Sequence, residues 1–274
     1  MGQPPSQYVH GTDPVEQRRL SALNRLLNET SLRHMALRAG ERVLDLGSGL
    51  GQLTRGMARA TGVRVLGIER SAEQIAEALR LASEAGEDAL VEFRPGDALD
   101  PPLSPAEWGT FDVAHARFVL EHVPEPLGVV RQMVRALKPG GRLVLEDDDH
   151  EVLRLFPEPA GFNAMWTSYM RTYDLAGNDP LVGRRLVSLI HQAGAVPRRN
   201  DLLSFGGSVG EERFAPLVEN IVRILEGARE AMAKAGPPVG EAFDQALREL
   251  EAWGKRPDAA IWFGRCWAEG VKPA

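Results

Sequence analysis

Three glycines at alternating positions, Gly47, Gly49 and Gly51, separate a short apolar run from a stretch with helical periodicity. Because glycine has no side chain, the backbone of such a turn can approach a bound molecule closely, and the N–H groups at the start of the following helix can point toward it. The turn therefore predicts a site for a nucleotide-like ligand, and the alternative is a tight turn that binds nothing.

Glu69 ends the next apolar run, where a doubly wound fold presents an acidic side chain to ribose hydroxyls. This position predicts an adenosine group but does not distinguish one adenosine cofactor from another. The glycine spacing does distinguish them. Dinucleotide sites follow the pattern G-x-G-x-x-G, and the third glycine of that pattern would fall on Gln52.

The pattern D-x-G-x-G-x-G, from Asp45 to Gly51, resembles the first motif of class I S-adenosylmethionine-dependent methyltransferases. The resemblance extends in order from Arg42 to Glu146. It implies that Glu69 binds the ribose, that the acidic residue of G-D-A binds the adenine amino group, and that the end of the fourth strand lies beside the methionine part, where an arginine suits a carboxylate. The cofactor contacts that it implies are Asp45, Gly47, Ser48, Gly49, Gly51, Gln52, Glu69, Arg70, Gly96, Asp97, Ala98, Ala116 and Arg117.

Methyl transfer is a displacement on an already activated sulfonium, so the protein mainly aligns the reactants and excludes water. A base is needed only when the acceptor carries a proton. His122, just after the fourth strand, is the candidate base, and the alternative is a packed or surface histidine. Tyr8 and His10 precede a helical region and are candidates for closing the site, unless they belong to a frayed terminus.

Titratable residues cluster from Glu146 to His150, where the fifth strand should end. The cluster is interpreted as a divalent-cation site, as a charged wall for a cationic amine with Asp149 as an acceptor contact, or, the favoured interpretation, as a solvated acidic loop. Metal is the least favoured and none is predicted, because metal-dependent relatives also take carboxylates from the end of strand four, where this chain has His115 to Arg117. Aromatic residues at helical spacing, predicted to be core, are Phe162, Trp166, Tyr169 and Tyr173.

Apolar runs and helical patterns alternate from Arg42 to Glu146, which predicts an α/β fold with a doubly wound, mostly parallel, seven-stranded sheet. Single strands are predicted at Arg142–Glu146, Val196–Phe205 and Ala259–Trp267, with two helices between the last two strands. The domains expected are an N-terminal helical cap (1–40), the cofactor-binding core (41–205 and 259–274), and a helical insertion (206–258) that serves as a lid or a homodimer surface.

Composition limits the partners. A net charge of −6 argues against nucleic acid, and the single cysteine, Cys266, argues against a disulfide framework and is typical of the cytoplasm. No apolar run is long enough for a membrane span. The function expected is methyl transfer to an O, N or C atom of a small molecule. The alternatives are a nicotinamide-dependent oxidoreductase, which Gln52 disfavours, and a protein that binds the cofactor without transferring methyl groups.

Overall fold

The structure, a computed structural model, describes residue 24 and residues 27–274. Tyr8, His10 and most of the expected N-terminal cap lie outside the described residues. The strands, in chain order, are β1 (Val43–Leu46), β2 (Val65–Glu69), β3 (Val91–Pro95), β4 (Phe111–Arg117), β5 (Leu137–Asp148), β6 (Arg154–Phe156), β7 (Val196–Ser204), β8 (Gly207–Ser208), β9 (Ala260–Trp262) and β10 (Gly264–Val271).

A seven-stranded sheet in the order β3-β2-β1-β4-β5-β10-β7 forms the centre of the molecule. Its first five strands are parallel neighbours, and β10 runs antiparallel to both β5 and β7. All four residues of β1 are buried, because helices cover both faces of the sheet. The predicted fold class, a doubly wound and mostly parallel seven-stranded sheet, is confirmed.

The helices begin and end at the signals that the sequence offers. Ser71 caps one of them by accepting a hydrogen bond from the Gln74 N–H, Gly51 in a left-handed conformation precedes another, and Pro126 opens a third. The described helices are α1 (27–35), α2 (Gln52–Thr61), α3 (Ala72–Glu84), α4 (Pro126–Ala136), α5 (Phe162–Ala176), α6 (Leu186–Gln192), α7 (Phe214–Gly227), α8 (Arg229–Ala235) and α9 (Glu241–Trp253).

The helical region after β5 forms a core of its own. Helix α5 packs against α7, α8 and α9, and its aromatic side chains lie in one buried cluster with residues of those helices. Two helices were predicted between the last two strands, and this number is wrong. The described segment contains three, α7, α8 and α9, because the helix is interrupted at Ala228 between α7 and α8. Among the described helices, none combines the length and the apolar composition that a bilayer crossing requires.

The single strand predicted at Ala259–Trp267 is wrong, because this segment forms two strands in two sheets. Strand β9 joins β6 and β8 in a small three-stranded sheet, whereas β10 enters the main sheet. Gly206 permits the close approach of strand β9, since a Cβ atom at Gly206 would lie 2.1 Å from the Ile261 carbonyl oxygen. An apolar run does not show where a chain passes from one sheet to another.

The fifth strand is longer than the predicted Arg142–Glu146 and begins at Leu137. Residues 138–141, which read K-P-G-G and have the composition of a turn, belong to the strand. They are held there because Leu137 pairs with Phe111 and the Gly140 N–H donates to the Lys272 carbonyl oxygen at 2.9 Å. The partner at the far end of the chain, not the local sequence, fixes this conformation.

Candidate active site

A cavity of about 270 Å³ opens at the carboxyl ends of the parallel strands. Residues at or just after the ends of β1, β2, β3, β4 and β5 line it, together with side chains from α5 and α7. Open α/β sheets bind their ligands at this edge, because the loops that follow neighbouring parallel strands meet there.

The three glycines of the first turn all adopt positive φ angles, of 71°, 53° and 68°. A Cβ atom at Gly47 would lie 2.3 Å from Val119 Cγ2, and one at Gly51 would lie 2.3 Å from Phe93 Cζ. A Cβ at Gly49 would instead meet only Gln74 Oε1, at 3.3 Å. Packing thus requires two of the glycines, while Gly49 faces the cavity and leaves room for a ligand to approach the backbone.

Glu69 connects the glycine turn to the start of α3. Its Oε2 atom accepts a hydrogen bond from the Gly49 N–H at 3.0 Å, and Oε1 accepts from the N–H groups of Arg70 and Ser71 at 2.8 and 2.9 Å. The side chain of Asp97, which follows β3, accepts from the Leu99 N–H at 2.8 Å. Both carboxylates are therefore held at the rim of the same cavity.

Most of the predicted cofactor contacts lie around this cavity, with two exceptions. Gly51 is directed at Phe93, and Ala116 is buried in the core of the sheet, so neither lines the cavity. Their places follow from the strand and turn geometry, which alternates the exposure of successive residues. The predicted contacts that do line it are Asp45, Gly47, Ser48, Gly49, Gln52, Glu69, Arg70, Gly96, Asp97, Ala98 and Arg117.

Arg117 lines the cavity, and its described hydrogen bonds run to Asn24 and to α1. The guanidinium donates to Asn24 Oδ1 at 2.7 Å, to Asn28 Oδ1 at 2.8 Å and to Ser31 Oγ at 3.2 Å. Burial lowers the pKa of Arg117 to about 10, which still leaves the group charged at neutral pH. Arg117, which was expected to bind the carboxylate of the cofactor's methionine part, thus also links the end of β4 to α1.

A buried ionic network surrounds Glu146, and no local sequence pattern indicates it. Glu146 Oε2 accepts from Arg265 at 2.5 Å and from Ser31 Oγ at 2.9 Å, and His115 lies between Glu146 and Asp45, at 3.4 and 2.8 Å. Burial raises the pKa of Glu146, but the hydrogen bond from His115 and the charges of Arg265 and Arg117 outweigh it and lower the pKa to about 2. Glu146 is therefore an ionised carboxylate in the protein interior.

The favoured interpretation of residues 146–150 as a solvated acidic loop is wrong, because all five side chains are buried. Asp147 Oδ2 accepts from the N–H groups of Leu120 and Val119, at 2.8 and 3.2 Å, and ties β5 to the segment after β4. Burial and the charge of Glu121 raise the pKa of Asp147 well above its usual range. Hydrogen bonds to distant backbone, invisible in the sequence, allow these carboxyl groups to lie inside the protein.

Asp149 does not line the cavity, so its predicted contact with the acceptor is not supported. Its two oxygens lie 2.7 Å from Arg184 nitrogens, and its side chain also accepts from the Glu151 N–H. The ion pair with Arg184 links the carboxylate to the short helical turn Val182–Arg185, which follows α5. Asp149 is therefore assigned a structural role, as the partner of Arg184.

Glu121, Asp148 and His150 meet at the end of the cavity that faces α5. One oxygen or nitrogen atom from each lies within 4.8 Å of the others, and His150 Nε2 donates to Glu121 Oε2 at 2.9 Å. Burial and the Glu121 charge raise the pKa of Asp148 to about 7. Burial lowers the pKa of His150, but the hydrogen bond and the charge of Glu121 outweigh burial and raise this pKa. Burial raises the pKa of Glu121, but the charges of His122 and His150 outweigh burial and lower it.

Sequence reasoning missed Glu121, although a signal existed. It is a charged residue inside the apolar run F-V-L-E-H-V, and such a residue in a buried segment requires a partner or a role. His122, the predicted base, lines the cavity, with its ring 5.6 Å from that of Tyr173 and its Nε2 3.5 Å from Glu121 Oε1.

The aromatic face of α5 is core, as predicted, but two of its members also line the cavity. Phe162 and Trp166 lie within the helical core. Tyr169 and Tyr173 belong to that core and border the cavity as well, with their hydroxyl groups 2.8 Å apart. One helix face thus supports the core and shapes the pocket wall.

The chain is similar to known methyltransferases in sequence. A family described as a methyltransferase domain matches residues 15–194. A 27-O-demethylrifamycin SV methyltransferase of Amycolatopsis mediterranei (strain S699) is 38% identical over 155 residues, which are 57% of this chain and 54% of that protein. A ubiquinone biosynthesis O-methyltransferase of Xanthomonas axonopodis pv. citri (strain 306) is 37% identical over 122 residues, 43% of this chain and 49% of that protein. The chain spans about half the length of the curated relatives that it matches.

Among solved structures, the [4+2]-cyclase SpnF shares the fold over 100% of both chains, with a TM-score of 0.60 and 20% identity. A likeness at this identity shows the fold alone, and a cyclase on this fold illustrates that fold does not fix the reaction. The sequence match is more specific, because it covers residues 15–194 and contains the glycine turn, Glu69, Asp97 and the end of β4 in order. The chain therefore belongs to the methyltransferase domain family, and its resemblance to class I S-adenosylmethionine-dependent methyltransferases is confirmed.

Proposed function

We propose that this protein transfers a methyl group from S-adenosylmethionine to an O, N or C atom of a small-molecule acceptor. The observation that carries the proposal is a single cavity lined by two different sets of groups. The glycine turn, Glu69 and Asp97 form one set and suit an adenosine ligand. Glu121, Asp148 and His150 form the other and suit a polar acceptor.

The cofactor set has the donors and acceptors that adenosine requires. Gly49 lines the cavity and has no Cβ, so a ligand can contact the backbone of the turn directly. We assign Glu69 to the ribose hydroxyls and Asp97 to the adenine amino group, since a carboxylate accepts hydrogen bonds from both kinds of donor. S-adenosylmethionine, when bound, supplies a methyl group on a positively charged sulfur.

The acceptor side works mainly by alignment and by exclusion of water. Tyr169 and Tyr173 on α5 and Ile224 on α7 close the wall of the cavity opposite the sheet. We therefore assign the helices of the 206–258 insertion, together with α5, to a lid over the acceptor. His122 is assigned as the base that takes the proton of a hydroxyl or amine acceptor, because it lines the cavity and its ring is held against Tyr173.

Calorimetric titration with S-adenosylmethionine and with S-adenosylhomocysteine tests the cofactor assignment. Binding of both by the folded protein is expected, and the absence of binding would refute the proposed function. A screen of phenols, alcohols, amines and acids, with formation of S-adenosylhomocysteine as the readout, then tests transfer. If the protein binds the cofactor and no acceptor in any class is methylated, the proposal of an enzyme gives way to that of a cofactor-binding protein.

The cellular setting is proposed on composition. A net charge of −6 supports a small molecule rather than nucleic acid as the acceptor, and a single cysteine supports work in the cytoplasm. We also propose a homodimer, because Phe156 and Trp262 on the small sheet expose 65% and 56% of their surface. Light scattering coupled to size-exclusion chromatography measures the mass, and a monomer at micromolar concentration would contradict the dimer.

A further inference from the structure

We propose that Glu121, Asp148 and His150 bind a divalent first-row transition ion, of the Mn²⁺ or Zn²⁺ kind, at the acceptor end of the cavity. The existence of the site stands on the geometry of these three side chains. Its task, binding an oxygen atom of the acceptor, rests on the proposed function.

The distances suit an ion. One potential ligand atom from each residue lies within 4.8 Å of the others. His150 Nε2 and Glu121 Oε2 are 2.9 Å apart, close to the roughly 3.0 Å that separates neighbouring ligands about 2.1 Å from an octahedral ion. A cation can therefore be enclosed by small side-chain movements, with the hydrogen bond between His150 and Glu121 replaced by two metal–ligand bonds.

One buried polar atom at the cluster lacks a partner, which is an independent sign of a ligand. Asp148 Oδ1 has no hydrogen-bond partner among the residues that the structure describes. Asp148 is only 9% exposed, and it lines the cavity. A buried carboxylate oxygen without a partner is unfavourable, and a bound cation would satisfy it.

The three side chains are held in place before any ion binds. Glu121 lies on the short helical turn after β4, Asp148 is the last residue of β5, and His150 opens the next turn. The His150 carbonyl oxygen accepts from Trp166 Nε1 at 2.8 Å, and its ring lies 5.2 Å from that of Tyr173. These contacts limit the movement of His150 before any ion binds, so less conformational entropy is lost on binding.

Glu121 supplies a carboxylate near the end of the fourth strand, where a metal was disfavoured because the strand itself ends in His115 to Arg117. The structure shows that the carboxylate comes from the helical turn after β4 and meets Asp148 from β5 at the cavity. A pair of carboxylates is therefore present at the ends of two neighbouring strands, one on the turn after β4 and one on the last residue of β5.

The ligand set selects the kind of ion. Imidazole favours Zn²⁺ and other transition ions, whereas sites built only from oxygen favour Mg²⁺ and Ca²⁺. Two carboxylates with one imidazole therefore favour Mn²⁺ or Zn²⁺. Three protein ligands leave positions open, so a hydroxyl of the acceptor can bind there, where the ion lowers the pKa of the hydroxyl and His122 can receive its proton.

The test is a titration of the full chain, freed of metal by a chelator, with Mn²⁺, in which electron paramagnetic resonance measures the unbound ion. We expect one bound Mn²⁺ per chain, affinity at least tenfold weaker in Glu121→Gln and Asp148→Asn, and little change in Asp149→Asn, a neighbouring buried carboxylate that binds Arg184 instead. Zn²⁺ should displace the bound Mn²⁺, and Mg²⁺ should bind at least tenfold more weakly than Mn²⁺.

Wild-type protein alone also decides the question if a variant does not fold. The pulsed spectrum of bound Mn²⁺ should show coupling to an imidazole nitrogen, and its absence would overturn the site. No uptake of Mn²⁺ or Zn²⁺ by wild type, equal uptake by the three variants, or equal affinity for Mg²⁺ would also overturn it. Calorimetry with S-adenosylhomocysteine on the same samples reports the proposed function separately, because a protein that binds metal but not this ligand keeps the site and loses the function.

Discussion

The buried carboxylate of Glu146 should be worth several kcal/mol of stability, and the substitution Glu146→Gln tests this. The side chain is fully buried and its Oε2 atom accepts from Arg265 at 2.5 Å and from Ser31 at 2.9 Å. A pKa of about 2, against an ordinary value of 4.5, corresponds to about 3 kcal/mol. Removing one partner of a buried ion pair costs a similar amount, about 3–5 kcal/mol, because the remaining charge is left without compensation.

Glu107→Gln is the matched control. Glu107 also has a pKa lowered to about 2, by its hydrogen bonds with Arg94 at 2.8 and 2.9 Å, but this pair lies at the surface, with the side chains 16% and 28% exposed. Solvent screens such a pair, so its loss should cost about 1 kcal/mol. Urea unfolding of wild type and both variants at neutral pH measures the difference. If Glu146→Gln loses no more stability than Glu107→Gln, the assignment of Glu146 as a buried, compensated charge is wrong.

The pH dependence gives the same prediction a second measurement. The pKa of Glu146 is lower in the folded protein than in the unfolded chain, so its contribution is complete above pH 4.5 and is lost as the pH falls toward 2. The stability difference between wild type and Glu146→Gln should therefore shrink between about pH 5 and about pH 3. A difference that stays constant across this range would show that the carboxylate is not the source of the effect.

Three further outcomes are expected. Gly49→Ala should raise the dissociation constant of S-adenosylhomocysteine at least tenfold. The control Gly62→Ala adds the same side chain at a residue that also has a positive φ, of 68°, but lies away from the cavity, and it should change this constant by no more than about twofold. Equal effects of the two variants in calorimetry would contradict the role of Gly49. Glu69→Gln should weaken the same binding about tenfold, and unchanged affinity would remove Glu69 from the ribose site. His122→Gln should lower kcat for a hydroxyl or amine acceptor about 100-fold or more without changing cofactor affinity, and an unchanged kcat would leave His122 as a packing residue.

Local patterns sufficed for the parallel half of the fold and for the cofactor turn. The strands from β1 to β5 follow from apolar runs between helical patterns, and the turn at Gly49 follows from residue types within one short segment. What the sequence did not predict depends on distant partners. Strand β9 leaves the main sheet because β6 and β8 pair with it, and β5 starts early because Phe111 and Lys272 hold its first residues.

The wrong prediction of a solvated acidic loop at residues 146–150 also arises from distant partners, as the adjacent acidic residues of β5 show. Alternation along a strand puts Glu146 and Asp148 on one face and Asp147 on the other, and this much is readable from spacing. Their electrostatic states are not readable, since Glu146 faces Arg265 and has a pKa of about 2, whereas Asp148 faces Glu121 and has a pKa of about 7. The carboxyl end of β5 therefore contains two different carboxyl groups. The charge of Glu146 is compensated by Arg265, whereas Asp148 lies in the cavity beside a second carboxylate, Glu121. The charges of His150 and Arg265 offset part of the repulsion between Asp148 and Glu121, and a bound cation would offset more of it. The metal titration tests whether such a cation binds.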